Sequence, residues 1–214
     1  LVGTKTLKAR AVIDATGTWG NPNPALSSGL WLKQELNCNE FIDYSIPNVM
    51  VQKELYANKQ IAVIGGGHSA INSLLHLVAL KEQYPETEIT WILRKNRVED
   101  AFGGGSNDEL AARGELGQTI AEHVASGVIQ VKTPFFIKSI RKTTSGLQLK
   151  SEDDTIVNID RLIVNTGSRP NFDIHRELRY EVDAITEAVP ALAPLIDPNE
   201  HSCGSVAAHG EKEL

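Results

Sequence analysis

The chain has 214 residues, 41% of them apolar and 22% charged, and a formal net charge of −6. That length holds one large domain or two small ones with a sizeable core, and the composition is that of an ordinary soluble globular protein. The acidic balance argues against nucleic acid as the main partner, no apolar run is long enough to span a bilayer, and no secretory leader is visible.

Cys38 and Cys203 lie far apart and form no C-x-x-C. This suits a reducing cytoplasm and excludes a redox pair local in sequence, while a disulfide between the two stays open. The chain opens at Leu1 and its only methionine is Met50, so it is expected to be a piece of a longer protein.

In chain order, Leu7 to Gly17 predicts a strand: Leu7 and Ala9 alternate with polar residues, then Ala11, Val12 and Ile13 run together as in a strand covered on both faces. Thr18 to Pro24 carries two prolines and a glycine and reads as an extended loop. Residues from Ala25 to Asn58 show no clean period and read as a connecting segment. Lys59 to Ile64 predicts a strand. Ser69 to Lys81 predicts a helix, with Ile71, Leu74, Leu75, Leu77, Val78 and Leu80 at helical spacing. Pro85 stops it within a turn at Tyr84 to Thr87, and Glu88 to Arg94 predicts a second strand. Together these form a βαβ unit whose crossover should be right-handed.

Asn96 to Gly117 predicts a long polar loop. Its triplet Gly103-Gly104-Gly105 reads as a flexible turn rather than a second phosphate cradle. Leu116 to Ala125 predicts a helix closed by Gly127. Val128 to Lys132 predicts a third strand. Phe135 to Arg141, Gly146 to Lys150 and Thr155 to Ile159 predict a β-meander, and Arg161 to Val164 a buried strand. The tail, punctuated by Pro190, Pro194 and Pro198, is left unassigned. The expected fold class is α/β: a Rossmann-like parallel sheet with flanking helices and an inserted antiparallel β-meander. An internal echo links Leu7–Gly17 to Val157–Gly167, each an alternating strand, an apolar run and then x-Thr-Gly before a proline-containing loop.

The motif carrying chemistry is Ile61-Ala62-Val63-Ile64-Gly65-Gly66-Gly67-His68-Ser69-Ala70, a strand, a glycine turn and a helix start at dinucleotide-binding spacing. Gly65 allows the sharp turn, Gly67 lets a pyrophosphate approach the backbone, and Ala70 lets helix and strand pack closely. The helix N-terminus offers free N–H groups and partial positive charge to phosphates. Ser69 is placed to cap the helix and donate to a phosphate; His68 either contacts the phosphates or fills space. At the tip of the second strand, where NAD sites carry a carboxylate, stand Arg94 and Lys95 with Arg97 close by. A guanidinium can grip a ribose 2′-phosphate that a carboxylate would repel, so the expected nucleotide is NADPH. Glu99 and Asp100 lie just past the tip. His201, Cys203 and His209 fit no standard zinc spacing and read as loop residues, so no metal is expected. No Tyr-x-x-x-Lys pair follows the βαβ unit, which removes a short-chain dehydrogenase reading.

Three motifs in order resemble the two-dinucleotide flavoprotein superfamily, which includes flavin-containing monooxygenases and pyridine-nucleotide-dependent disulfide reductases. Ala15-Thr16-Gly17-Thr18-Trp19-Gly20-Asn21-Pro22 resembles the hinge leaving an FAD domain, Gly65 to Ala70 its inserted NADPH fingerprint, and Asn165-Thr166-Gly167-Ser168-Arg169-Pro170-Asn171 the hinge returning. The resemblance implies partial FAD-domain segments at both ends. Residues 1–56 would be the end of the FAD half with a linker, 57–168 the NAD(P)H domain, and 169–214 the return segment. It places Thr166 and Gly167 with the cofactor-binding residues, and it makes Trp19 a hinge or interface residue. The FAD fingerprint is missing and no C-x-x-C is present, so FAD would be bound mostly by segments outside this chain.

The resulting expectation is the NADPH-binding domain of a cytoplasmic FAD-dependent oxidoreductase, monooxygenase-like by its Thr-Gly-x-Trp-Gly-x-Pro hinge. This piece alone would be inactive, with no catalytic residue of its own. Two alternatives stay open: a non-enzymatic NADP(H)-binding sensor, and a reductase passing electrons to a protein partner. The small-molecule substrate is unassigned, and a homodimer stays open.

Overall fold

The computed structural model describes residues 6–102, 111–191 and 194. Gly103 to Gly105 and His201, Cys203 and His209 lie outside the described residues. At the centre is a parallel sheet of five strands: β1 (Ile42–Asp43), β2 (Gln60–Ile64), β3 (Glu88–Ile92), β4 (Ile129–Lys132) and β8 (Arg161–Val164), in the order β1-β8-β2-β3-β4. The antiparallel meander is β5 (Ile137–Lys142), β6 (Leu147–Ser151) and β7 (Ile156–Ile159). The helices are α1 (Lys33–Leu36), α2 (Lys53–Tyr56), α3 (His68–Gln83) and α4 (Ala111–Ala125). The fold is α/β and Rossmann-like.

Side-chain alternation along the strands builds two cores from one sheet. Ile61 and Val63 of β2 face the helix side, with Ile89 and Trp91 of β3 and Leu74 and Leu77 of α3. Ala62 and Ile64 face the meander side, with Ile137, Ile140, Leu147 and Leu149. Covered on both faces, β2 and β8 are apolar almost end to end, as the sequence pattern required.

Three expectations are corrected. Leu7–Gly17 forms no strand: Leu7, Val12 and Ile13 are 77%, 88% and 91% exposed, and the stretch pairs with no strand among the described residues. Alternation makes a strand only where a neighbour supplies the ladder hydrogen bonds. Asp14 instead meets His175, Oδ2 to Nε2 at 2.8 Å, and the Thr16 hydroxyl and backbone N–H hold its carboxyl below the usual carboxylate range. The internal echo therefore reaches the structure only at Gly17 and Gly167, both at positive φ (+70° and +94°).

Second, the connecting segment 25–58 carries α1, β1 and α2, and β1 joins the sheet in parallel with β8. Elements of two to four residues leave no readable period. They are held by buried polar groups: Arg161 donates from Nη1 to Glu40 O (2.6 Å) and from Nη2 to Asp43 Oδ2 (2.7 Å), and Tyr56 donates to the same carboxylate oxygen (2.7 Å). Burial, then Asp43, pushes the Tyr56 phenol well up. Third, α4 begins at Ala111 rather than Leu116, inside the predicted loop. Gly114 and Gly117 weigh against helix by propensity, but a β-carbon at Gly117 would lie 2.1 Å from Phe102 O, so close packing selects glycine there.

Arg161→Met leaves Asp43 without its cation and is expected to lower the unfolding free energy by about 2–4 kcal/mol in urea titration. Lys150→Met, which removes the exposed Lys150–Asp154 pair, should leave the urea midpoint unchanged. Equal effects would show that the Arg161 network stabilises no more than a surface contact.

Candidate functional site

From β2 the chain runs through α3 to β3 on one side, while β8 occupies the other. Strand order therefore reverses at β2, and a crevice lies outside the carboxyl ends of β2 and β8, the place where open α/β sheets take ligands. The glycine turn sits there. Gly65 has φ +134°, and a β-carbon on it would stand 2.1 Å from Asn165 O, so no other residue fits. Its carbonyl accepts from the buried indole Nε1 of Trp91 at 2.7 Å. Gly66 is in ordinary contact distance of the Lys95 and Leu93 side chains.

Gly67 differs. It is the N-cap of α3 at φ −106°, and a β-carbon there would meet no protein atom within 4 Å. Among the described residues, no packing contact requires glycine at this position, and its missing side chain leaves space there. No side chain caps α3 and no acidic residue lies in its first turn. The first N–H groups of the helix thus face that space with the positive end of the dipole. Ser69, expected to cap, is instead exposed at the second helical position, because Gly67 already fills the cap. His68 is the first helical residue, half-buried, and its carbonyl accepts from Asn72 Nδ2 at 3.0 Å. Ala70 is fully buried, 3.4 Å from the position of a Gly65 β-carbon.

The basic cluster at the tip of β3 is divided. Arg94 and Lys95 both follow the end of β3, in a bend, and their side chains part there. Arg94 is exposed, has no hydrogen-bond or ion-pair partner among the described residues, and lines a cavity of about 210 Å³ on the meander side. Lys95 crosses to the helix side, where its stem lies beside Gly66 and its ammonium donates to Asp100 O. Arg97 turns outward, 3.4 Å from Glu99 Oε2. The backbone N–H of Glu99, with Arg97 adding, keeps the Glu99 carboxyl below its ordinary range.

The two hinge-like motifs, far apart in sequence, meet. Pro22 and Ser168 form an antiparallel bridge; Asn23 N donates to Gly167 O (3.0 Å) and Arg169 N to Asn21 O (2.9 Å). Asn21 Nδ2 donates to Pro170 O (3.1 Å), and the Thr166 hydroxyl lies 3.2 Å from both Asn23 O and Pro24 O. Thr166 is thus engaged in the ribbon, while Gly167 lines a cleft of about 370 Å³ with Trp19, Tyr44, Ile46, Ser69 and Asn165. Tyr44 stands in that wall because its hydroxyl donates to Glu35 Oε1 at 2.8 Å; burial, then Glu35, pushes its phenol far up. Glu35 is fully buried and also accepts from Ala25 N (2.7 Å) and Leu26 N (3.2 Å).

Sequence reasoning missed Asn165, whose Oδ1 accepts from the buried Ser73 hydroxyl at 2.7 Å. The signal was there: a polar residue directly closing the run Leu162-Ile163-Val164. It also missed Tyr44, Ile46 and the cavity position of Arg169, which no local pattern marks. Among the described residues no group of three His, Cys, Asp or Glu converges as a metal site, and no helix is long and apolar enough to cross a membrane.

The model of the family described as pyridine nucleotide-disulphide oxidoreductase matches residues 2–194. Among solved structures, an engineered water-forming NADPH oxidase, a mutant of the Lactobacillus brevis NADH oxidase, is 19% identical with a TM-score of 0.46; the match covers 64% of this chain and 26% of that one. The HOCl-induced flavoprotein disulfide reductase RclA from Escherichia coli is 15% identical (TM-score 0.45; 62% and 27% covered). A NAD-dependent persulfide reductase from A. fulgidus is 18% identical (TM-score 0.45; 64% and 22% covered). The matched region spans about a quarter of each of these proteins. No match was found among curated protein sequences.

The two glycines should respond differently to a methyl group. Gly65→Ala is expected to cost more than about 2 kcal/mol, through positive φ and the Asn165 carbonyl, or to prevent folding. Gly67→Ala should change stability by less than about 1 kcal/mol. Thermal unfolding of both variants checks this, and a Gly65→Ala protein as stable as the parent would show that the close approach is not the constraint.

Proposed function

The chain belongs to the pyridine nucleotide-disulphide oxidoreductase family, and on that premise we propose that it is the NADPH-binding part of an FAD-dependent oxidoreductase. The observation carrying this reading is the uncapped N-terminus of α3, with the open space at Gly67 in front of it, at the β2/β8 crevice. A pyrophosphate fits that chemistry: backbone N–H donors, a positive dipole end, and no carboxylate in the first turn of the helix to repel it. Gly65 shapes the turn. Ser69, exposed at the second helical position, supplies a hydroxyl donor, and His68 stands beside it. Arg94 takes the ribose 2′-phosphate as an unpaired guanidinium; Lys95, on the other side of the chain leaving β3, adds positive charge near Gly66. Arg97, engaged with Glu99, contributes less.

The crevice continues into the cleft between α3 and the ribbon, where Asn165 and Gly167 border the nicotinamide end. Trp19 and Ile46, both exposed, supply apolar surface along it. When bound, the nicotinamide supplies a hydride and the flavin of the intact protein accepts it. This chain's work is to bind and orient the donor. Of the two cofactors, only the dinucleotide has a fingerprint in this sequence, so FAD would be held mostly by other segments. The hinge motif Ala15–Pro22 favours a monooxygenase-type outcome after flavin reduction.

Calorimetric titration of the chain with NADPH and with NADH tests this. NADPH is expected to bind tighter. Arg94→Ala should weaken NADPH about tenfold or more, toward the NADH value, and leave NADH unchanged. Gly67→Ala should weaken both nucleotides alike, since its methyl group enters the phosphate space. A folded parent chain that binds neither nucleotide would overturn the reading.

A further inference from the structure

Resting on the NADPH reading, we infer that Arg169, on the ribbon, is a second determinant of nucleotide choice, gripping the 2′-phosphate together with Arg94. The two arginines come from distant parts of the sequence, yet both line the cavity of about 210 Å³ that opens at the carboxyl ends of β2 and β3 on the meander side. Ile64, Phe135 and Ile137 form its apolar wall. Two guanidiniums bordering one cavity repel; both side chains are exposed, so solvent screens the repulsion, and an anion placed between them would be attracted by both. The described residues supply one carboxylate against them, Glu187, so the pair keeps an excess of one positive charge. An anion resolves that imbalance.

The details favour a phosphate group. Glu187 engages Arg169 only at Nε, through Oε1 at 3.0 Å and Oε2 at 2.9 Å. The two Nη groups of Arg169 have no acceptor among the described residues, and Arg94 has none at all. What remains is a planar fork from one side and a whole guanidinium from the other, the donor set that recognises a phosphate dianion bidentately. Arg169 is also held in place: its backbone N–H donates to Asn21 O at 2.9 Å, fixing it to the ribbon that continues from β8. Of the groups on the dinucleotide, the 2′-phosphate is the one that NADPH has and NADH lacks, and the cavity adjoins the strand tip where the ribose lies in the proposed pose.

The test is titration of the full chain with NADPH, NADH, 2′,5′-ADP and 5′-AMP, using Arg169→Ala, Arg169→Lys, Arg94→Ala and the double alanine variant. Arg169→Ala should weaken NADPH and 2′,5′-ADP by about tenfold and leave NADH and 5′-AMP unchanged. Arg169→Lys should recover part of the loss, since it keeps charge without the fork. The double variant should lose less than the product of the two single losses, because both arginines act on one group. If Arg94→Ala erases the NADPH preference while Arg169→Ala leaves it intact, this inference falls and the NADPH reading stands. Equal weakening of NADPH and NADH by Arg169→Ala would reduce Arg169 to a structural residue of the ribbon and also overturn it. If the parent chain binds no nucleotide, the reading and the inference fall together.

Discussion

The structure depends on the approach of two backbones at the carboxyl ends of β2 and β8. The carbonyl of Asn165 occupies the place where a β-carbon of Gly65 would stand, 2.1 Å from it. Three neighbours hold that approach. Asn165 N donates to Ile64 O at 2.8 Å, Trp91 Nε1 of β3 donates to Gly65 O at 2.7 Å, and Ser73 of α3 donates to Asn165 Oδ1 at 2.7 Å. Trp91 is fully buried, and its indole N–H would be costly there without an acceptor. The turn is thus fixed from two adjacent strands and from the helix it feeds. The direction of α3, and so of its N-terminal N–H groups, follows from that fixation rather than from any contact at the mouth of the site.

A second constraint holds the crevice's far wall. β1 pairs with β8 over only two residues, Ile42 and Asp43, too few to hold an edge by ladder hydrogen bonds alone. Buried charge supplies the rest. Arg161, mostly buried, ties β8 to Asp43 and to the Glu40 carbonyl, with its guanidinium over the Tyr56 ring. Glu35 gathers Tyr44, Ala25 and Leu26 onto one carboxylate. Burying ionised groups is unfavourable unless they are hydrogen-bonded. Glu35 accepts three hydrogen bonds, whereas the buried Nε of Arg161 has no acceptor among the described residues, so these groups specify an arrangement more than they add stability. Here the arrangement specified is the position of Tyr44 and of residues 23–26, which border the cleft on one side and the arginine-lined cavity on the other.

What the sequence could disclose followed element length. β2, α3, β3, the meander and β8 were legible because each carries a full period of its pattern. α1, β1 and α2 were not: two to four residues hold no period, and their anchors, Glu35 and Arg161, look like surface residues until burial is known. Leu7–Gly17 misled in the opposite sense. Its pattern is that of a strand, but a strand is a property of a pair, and no partner stands among the described residues. The start of α4 was hidden by two glycines that local propensity counts against a helix, one of which is selected by contact with Phe102 O. At the site, the glycine turn was legible to the residue, except that Ser69 yields the cap to Gly67. Arg169 was read only as part of the returning hinge, since the cavity it shares with Arg94 is formed only in space.

The division of the basic cluster has a consequence for how such a site can change. In the bend after β3, Lys95 lies beside the glycine turn and Arg94 borders the cavity on the meander side. The pyrophosphate position proposed here belongs to the α3 face and is set by backbone atoms, which substitution moves little. The proposed 2′-phosphate position is on the meander side and would be set by two side chains on separate segments. In that proposal, affinity for the common part of the dinucleotide and preference for its phosphorylated form rest on different chemistry, on the two sides of the chain leaving β3. A substitution at Arg94 or Arg169 alters charge in the cavity without disturbing Gly65, Asn165 or Trp91. A substitution at Gly65 would meet Asn165 O and disturb the direction of the helix, and with it the phosphate position proposed here. If that proposal holds, nucleotide preference is the more easily altered property, because the groups that would set it are not the ones that hold the sheet together.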